Sequence, residues 1–306
     1  MMILYVYCDI INMFETTYLI KKNIYRKGEL TMLKSDRLFL DIAKRIKKEG
    51  IWDKNPRPKY SDGTPAHSIY IDHVVCTYDI SKGELPLITL RPIAIKNAIK
   101  EILWIYQDQS NDLNVLKDKY GIKWWDLWES KSMPGTIGKR YGATIREYDL
   151  MNKLLDGLKN DPCSRRHIID MWQEADFKET DGLNPCAFMT MWTVRNEYLD
   201  LMLIQRSSDF LTAFNINEVQ YVVLLMMVAR HCGYKPGKFT HVINNVHIYD
   251  RHMQNLEDML NRKPIDCFPV LTLNPDKTNF YDFTIDDFVL EGYESVKPQL
   301  KFDLGI

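Results

Sequence analysis

The chain has 306 residues, 45% apolar and 26% charged, enough for one large globular domain or two small ones. Lys and Arg number 40 and Asp and Glu 41, a formal charge of −1 that excludes bulk attraction to DNA or a membrane. Any phosphate ligand must therefore be met by a local arginine cluster.

Residues 1–14 are apolar but interrupted by Asp9, and no Lys or Arg precedes them. They fit neither a signal peptide nor a membrane span. Lys27-Gly28-Glu29-Leu30-Thr31 precedes Met32, and in an A-rich coding sequence Lys-Gly-Glu would spell a ribosome-binding site. Residues 1–31 are thus open to two readings, a native segment or one lying upstream of a start at Met32. Apolar residues at helical spacing predict an amphipathic helix over 33–48, followed by a Pro-, Lys- and Gly-rich loop over 54–65. A β-branched, aromatic strand is expected over 68–78. A helix over 93–107 follows, with Ile95, Ile99, Leu103 and Tyr106 on one side, then a loop over 131–138 and a helix over 148–158. Strands are expected over 167–172, 187–194 and 198–205. The almost wholly apolar run 218–231 predicts a buried helix. A strand over 239–248, a helix over 252–262 and strands over 270–273 and 283–293 complete the chain. With no repeat, low-complexity tract or evident linker after residue 65, residues 32–306 read as one domain mixing helices and strands.

The six cysteines, Cys8, Cys76, Cys163, Cys186, Cys232 and Cys267, show no CxxC pair and no Cys/His metal spacing. Zinc and a disulfide framework are not expected, and free thiols fit a reducing, cytoplasmic compartment. One cysteine stands in a chemically suggestive setting. In Asn184-Pro185-Cys186 the proline stiffens the backbone just before a strand. A thiol is a useful nucleophile only when its anion is stabilised, commonly by arginine. Gln205-Arg206-Ser207-Ser208-Asp209 ends the next predicted strand, and an antiparallel pairing would return Arg206 to Cys186.

Eight segments in order then resemble the thymidylate synthase family. Asn184-Pro185-Cys186 is similar to its Pro-Pro-Cys segment, and Gln205-Arg206-Ser207-Ser208-Asp209 to its Gln-Arg-Ser-x-Asp. Ser164-Arg165-Arg166 resembles its paired arginines, Glu101-Ile102-Leu103-Trp104 its Glu-Leu-x-Trp, and Trp125-Asp126-Leu127-Trp128 its Trp-Asp-x-Trp. Tyr141-Gly142, His247-Ile248-Tyr249 and the block from Phe280-Tyr281-Asp282-Phe283 to Gly292-Tyr293 complete the set. The resemblance implies an α+β fold with a large mixed sheet and surrounding helices. It further implies a homodimer, and methylation of dUMP to dTMP by 5,10-methylenetetrahydrofolate. That co-substrate supplies both carbon and hydride, so no metal is needed. A hydroxymethylase of the same fold, in which water captures the exocyclic methylene, and a non-catalytic nucleotide- or RNA-binding relative are the alternatives.

The resemblance also assigns roles. Cys186 would add to C6 of the pyrimidine, making C5 nucleophilic, with Arg206 stabilising the thiolate and holding phosphate. Arg165 and Arg166 would reach the phosphate in the partner subunit, where forked donors suit a dianion. Glu101, in an apolar helix, would have a raised pKa suited to proton transfer. Tyr141 would assist removal of the C5 proton. Trp125, Trp128 and Asp209 would serve the folate, and His247 and Tyr249 the sugar hydroxyl, with Ser207 also on the nucleotide. Asn215 would read O4 and N3 of uracil. The family pattern Asp-x-x-Leu-Gly-x-Pro-Phe-Asn is met here by the run Asp209-Phe210-Leu211-Thr212-Ala213-Phe214-Asn215, two residues shorter and without the Gly and Pro. No arginine matches the family's N-terminal phosphate loop in Ser61-Asp62-Gly63-Thr64-Pro65; Arg57 and Lys59 are the nearby substitutes.

Overall fold

The computed structural model describes residues 32–305; the start-site reading of residues 1–31 lies outside the described residues. A six-stranded sheet organises the fold, in the order β1-β2-β6-β5-β4-β3. The strands are β1 (Ile51–Trp52), β2 (Ser68–Asp79), β3 (Ile168–Asp170), β4 (Ala187–Arg195), β5 (Tyr198–Asp209) and β6 (Lys235–Tyr249). Only β5 and β6 run parallel; every other neighbour is antiparallel, so the sheet is mixed as expected. A separate hairpin pairs β7 (Val270–Leu273) with β8 (Phe288–Glu291).

Eight α-helices are seen among the described residues. The central one, α7 (Phe214–Cys232), connects the parallel strands β5 and β6. Parallel neighbours need such a crossover, which buries the helix against the sheet. Its residues from Val219 to Ala229 are all buried, and each Leu or Val so removed from water contributes about 1.5–3 kcal/mol. Gly233, at φ 80°, ends it in the left-handed conformation that glycine takes without a Cβ clash. The inward sheet residues Leu201, Leu203, Phe239 and Ile243 pack beneath it, and Ile71 and Val74 are buried in the same core.

Against the predicted elements, α1 (Lys34–Glu49), α5 (Leu150–Asn160) and α8 (Met253–Asn261) fall near their expected places. The helix expected over 93–107 is α2 (Ile95–Ile102), which continues as a π-helical turn over Leu103–Gln107. The strand expected over 283–293 is confined to β8, because a 3-10 turn at Ile285–Asp287, closed by a capping box between Thr284 and Asp287, precedes it. Short helices α3 (Leu113–Tyr120), α4 (Gly142–Glu147) and α6 (Glu174–Glu179), and a 3-10 turn at Trp124–Trp128, fill stretches without a clear sequence period. Among the described residues no helix is long and apolar enough to cross a membrane.

Candidate active site

The β4–β5 pairing returns Arg206 to Cys186. The Arg206 amide donates to the Cys186 carbonyl at 2.9 Å. Its guanidinium donates to the carbonyls of Asn184 (2.8 Å) and Pro185 (3.0 Å) and lies 3.4 Å from Cys186 Sγ. Arg206 is therefore clamped, and the Nη2 that bonds Asn184 is also the nitrogen facing the thiol. Burial pushes the Cys186 thiol above its ordinary range, opposed by the charges of Arg206 and Arg57. An anion bound beside Cys186 would meet the same two cations.

Tyr141 and Glu101 approach from the helical layer. The Cys186 amide donates to Tyr141 Oη at 3.1 Å. Tyr141 holds a positive φ of 50°, and a side chain on Gly142 would stand 2.3 Å from the Ser110 carbonyl. The Tyr-Gly pair thus follows from how closely this turn approaches its neighbour. Glu101 sits on the last turn of α2, just before the π-helical turn. Trp125 Nε1 donates to its Oε1 at 3.0 Å and Gln220 Nε2 to its Oε2 at 2.6 Å. Burial pushes its pKa up to about 7, against those donors, which meets the expectation of a desolvated acid. Trp125 lies edge-on to Trp104, Trp128 and Tyr141, so it serves as both wall and hydrogen-bond donor. Trp128 is half-buried at the rim.

His247 and Tyr249 end β6, their rings 5.1 Å apart. Burial lowers the His247 pKa. Asp209 pairs with His247 in register, and its Oδ1 accepts from the Leu211 and Thr212 amides, shaping the turn into α7. Ser207 stands half-buried on the same strand. Arg165 and Arg166 precede β3 and are exposed, without a hydrogen-bond or ion-pair partner among the described residues. Ile168 pairs with Met191, five residues beyond Cys186 on β4. At strand rise that is about 17 Å, and both arginines lie further out. The structure does not bring them to the Cys186 of their own chain.

Asn215 is the correction. It is fully buried on the first turn of α7, its Nδ2 3.5 Å from Glu218, away from the thiol. Asn217 instead joins the site: it accepts from Gln205 at 3.2 Å and donates to Gln220 at 2.9 Å, and Gln220 holds Glu101. The family pattern places its Asn eight residues after its Asp, and Asp209 plus eight is Asn217. No shortening is needed; counting, rather than matching Phe-Asn, would have found it. Gln220 was also missed, although a glutamine in an otherwise apolar helix is a visible anomaly. Arg140 is a third: buried, it donates to Asn184 Oδ1 and to the carbonyls of Asp176 and Thr180, bracing the nucleophile loop.

A sequence profile described as thymidylate synthase matches residues 37–306. The chain belongs to the thymidylate synthase family. It is 54% identical over 280 residues to a thymidylate synthase of Streptococcus pneumoniae, covering 90% of this chain and 100% of the relative. It is 51% identical over 286 residues to that of Streptococcus thermophilus, with the same coverage. A solved structure, thermostable thymidylate synthase A from Bacillus subtilis, superposes with a TM-score of 0.82 at 37% identity, covering 89% of this chain and 99% of that one. The enzyme class is methyl transfer to dUMP, giving dTMP, and the family's co-substrate is methylenetetrahydrofolate. Among the described residues no cluster of His, Cys, Asp and Glu could hold a metal ion.

Proposed function

We propose that this chain makes dTMP by adding the Cys186 thiolate to C6 of dUMP, with 5,10-methylenetetrahydrofolate supplying the carbon and the hydride. The carrying observation is that Arg206 lies on the Cys186 sulfur and Tyr141 on the Cys186 amide, with Trp125 joining Tyr141 to Glu101. Arg206 favours the anion by charge at 3.4 Å. C5, made nucleophilic by the addition, takes the one-carbon unit. The C5 proton leaves toward Tyr141, hydride from the folate completes the methyl group, and the Cys186–C6 bond breaks. Glu101, near neutrality, moves protons at the C4 side of the ring. Asn217 takes the role first expected of Asn215 and reads O4 and N3. Arg206 and Arg57 meet the phosphate, while His247, Tyr249 and Ser207 bind the rest of the nucleotide. Trp125, Trp128 and Asp209 bound the folate side.

The working form is a homodimer in a cytoplasmic setting. The sheet face opposite α7 carries Val75, Val242, Ile204, Met202, Met191 and Ile168 in neighbouring registers, each exposed or half-exposed. Such a stripe marks an association surface. Stacking two copies there leaves Arg165 and Arg166 free to serve the partner's phosphate site.

The test uses 5-fluoro-dUMP with methylenetetrahydrofolate. Fluorine cannot leave C5 as a proton does, so mass spectrometry should find a covalent ternary complex on the Cys186 peptide, and dTMP from unsubstituted dUMP. A full-strength adduct in Cys186→Ser, or a hydroxymethyl product, would overturn the reading.

A further inference from the structure

Glu101 is one end of a run of side-chain hydrogen bonds that ends in a buried acid–imidazole pair. Gln220 donates to Glu101, Asn217 to Gln220 and Gln205 to Asn217. His241 Nε2 lies 2.9 Å from Gln205 Oε1. Behind the ring, His241 Nδ1 is 3.5 Å from Glu218 Oε1, and both side chains are wholly buried. Neither of those two atoms has a hydrogen bond among the described residues. Phe214 and Phe239 stack on the imidazole and hold its plane.

The direction of this run is fixed at its ends. Gln205 Nε2 also donates to the Ser207 carbonyl at 2.8 Å. A backbone carbonyl only accepts, so the Gln205 amide nitrogen faces it and Oε1 must face His241. His241 Nε2 therefore carries a proton. At the far end an ionised Glu101 only accepts, so Gln220 turns its amide nitrogen there. Between them Asn217 presents Oδ1 to Gln205 and Nδ2 to Gln220. Its remaining N–H and lone pair keep one order. That order matches uracil, which offers an acceptor at O4 and a donor at N3. Cytosine offers the reverse, and reading it would turn Asn217 oxygen against oxygen at Gln220 and nitrogen against nitrogen at Gln205.

We propose that His241, backed by Glu218, is a positioning residue that acts with the Ser207 carbonyl to lock the polarity of Gln205, and through it of the Asn217 amide, and so excludes cytosine nucleotides. The proposal rests on the assignment of Asn217 to the base. Glu218 Oε2 accepts from Tyr78 at 3.2 Å and faces Asn215, which leaves Oε1 and Nδ1 facing each other at 3.5 Å with one proton to place on either. Whether that proton sits on the acid or on the ring, Nε2 keeps its own. The other neutral tautomer would turn the Nε2 lone pair onto Gln205 Oε1. Burial, which pushes the Glu218 carboxyl up, supports a proton held there.

The test compares kcat/KM for dUMP and dCMP, read by tritium release from C5, in the full chain. His241→Leu should lower the dUMP/dCMP ratio tenfold or more. His241→Gln, which restores an N–H near the Nε2 position, should hold it within about threefold of the parent. An unchanged ratio in His241→Leu, or an equal fall in both variants, overturns the lock. Asn217→Ala separates the two layers: if it leaves the ratio untouched, the base assignment itself fails. If it lowers the ratio and His241→Leu does not, only the lock fails. Should His241→Leu not fold, nitrogen-15 NMR of histidine-labelled parent protein decides. Protonated Nε2 is expected, and a tautomer protonated only at Nδ1 refutes the proposal.

Discussion

Replacing Glu101 by Gln should stabilise the protein at alkaline pH while disabling it. Burial holds the Glu101 pKa at about 7, against an ordinary value of 4.5. The folded state thus binds this proton more tightly than the unfolded state. Below 4.5 both states are protonated and the site costs nothing on this account. As pH rises through 4.5 to 7 the unfolded chain ionises first, and stability is lost until the folded group ionises too. At 1.36 kcal/mol per unit the full penalty above pH 7 is about 3 kcal/mol. Glutamine is neutral throughout; its amide nitrogen must face one of the two donors, Trp125 or Gln220, at a cost that does not change with pH. Urea unfolding of parent and Glu101→Gln at one fixed protomer concentration should give curves that diverge by about 2–3 kcal/mol between pH 5 and pH 8. Turnover should fall by about 10²–10⁴. A stability difference that stays flat across that pH range would refute the claim that Glu101 is held near neutrality by desolvation.

Arg165→Ala and Cys186→Ser should each be nearly inactive alone, yet regain activity when mixed, because one site in a heterodimer carries neither change. Failure to complement, with subunit exchange demonstrated, would contradict sharing across the interface. Asn217→Asp should shift preference from dUMP toward dCMP in competition assays. Asn215→Asp should instead lower the unfolding midpoint without shifting preference, since it sets a second carboxyl beside Glu218. Arg206→Leu removes the cation 3.4 Å from Sγ. Alkylation of Cys186 at pH 8, followed on its peptide, should slow about tenfold or more, equivalent to at least one pKa unit. An unchanged rate would mean another group stabilises the thiolate.

The strands and the long buried helix were legible because their signals are local. Period, β-branching and turn residues sit within each segment, and the Cys186–Arg206 meeting followed from one hairpin. Short α4 and α6, with six residues each, hold too few turns to show a period. The polar members of α7 were obscured by the surrounding apolar run. Glu218 and Gln220 are buried, as Val222 is, and only their partners on α2, β2 and β6 explain them. Those partners are far away in sequence, beyond what spacing reports. Asn217 was missed for a plainer reason: the Phe-Asn dipeptide at 214–215 mimics the family's ending two residues early.

The sheet order has a consequence for how the enzyme comes into being on the ribosome. Cys186 and Arg206 belong to a hairpin whose strands are joined by a two-residue turn at Asn196 and Glu197. This contact closes almost as soon as residue 206 emerges. The sugar end of the site waits much longer, because β6 pairs with β2 across the whole intervening chain, Ser68 opposite Tyr249. Pairings of such sequence separation form slowly. A nascent chain therefore carries its reactive thiol beside its arginine well before there is a nucleotide pocket to shield it. In that interval the cysteine is open to oxidants and alkylating agents. The newborn enzyme should be more easily poisoned than the mature one.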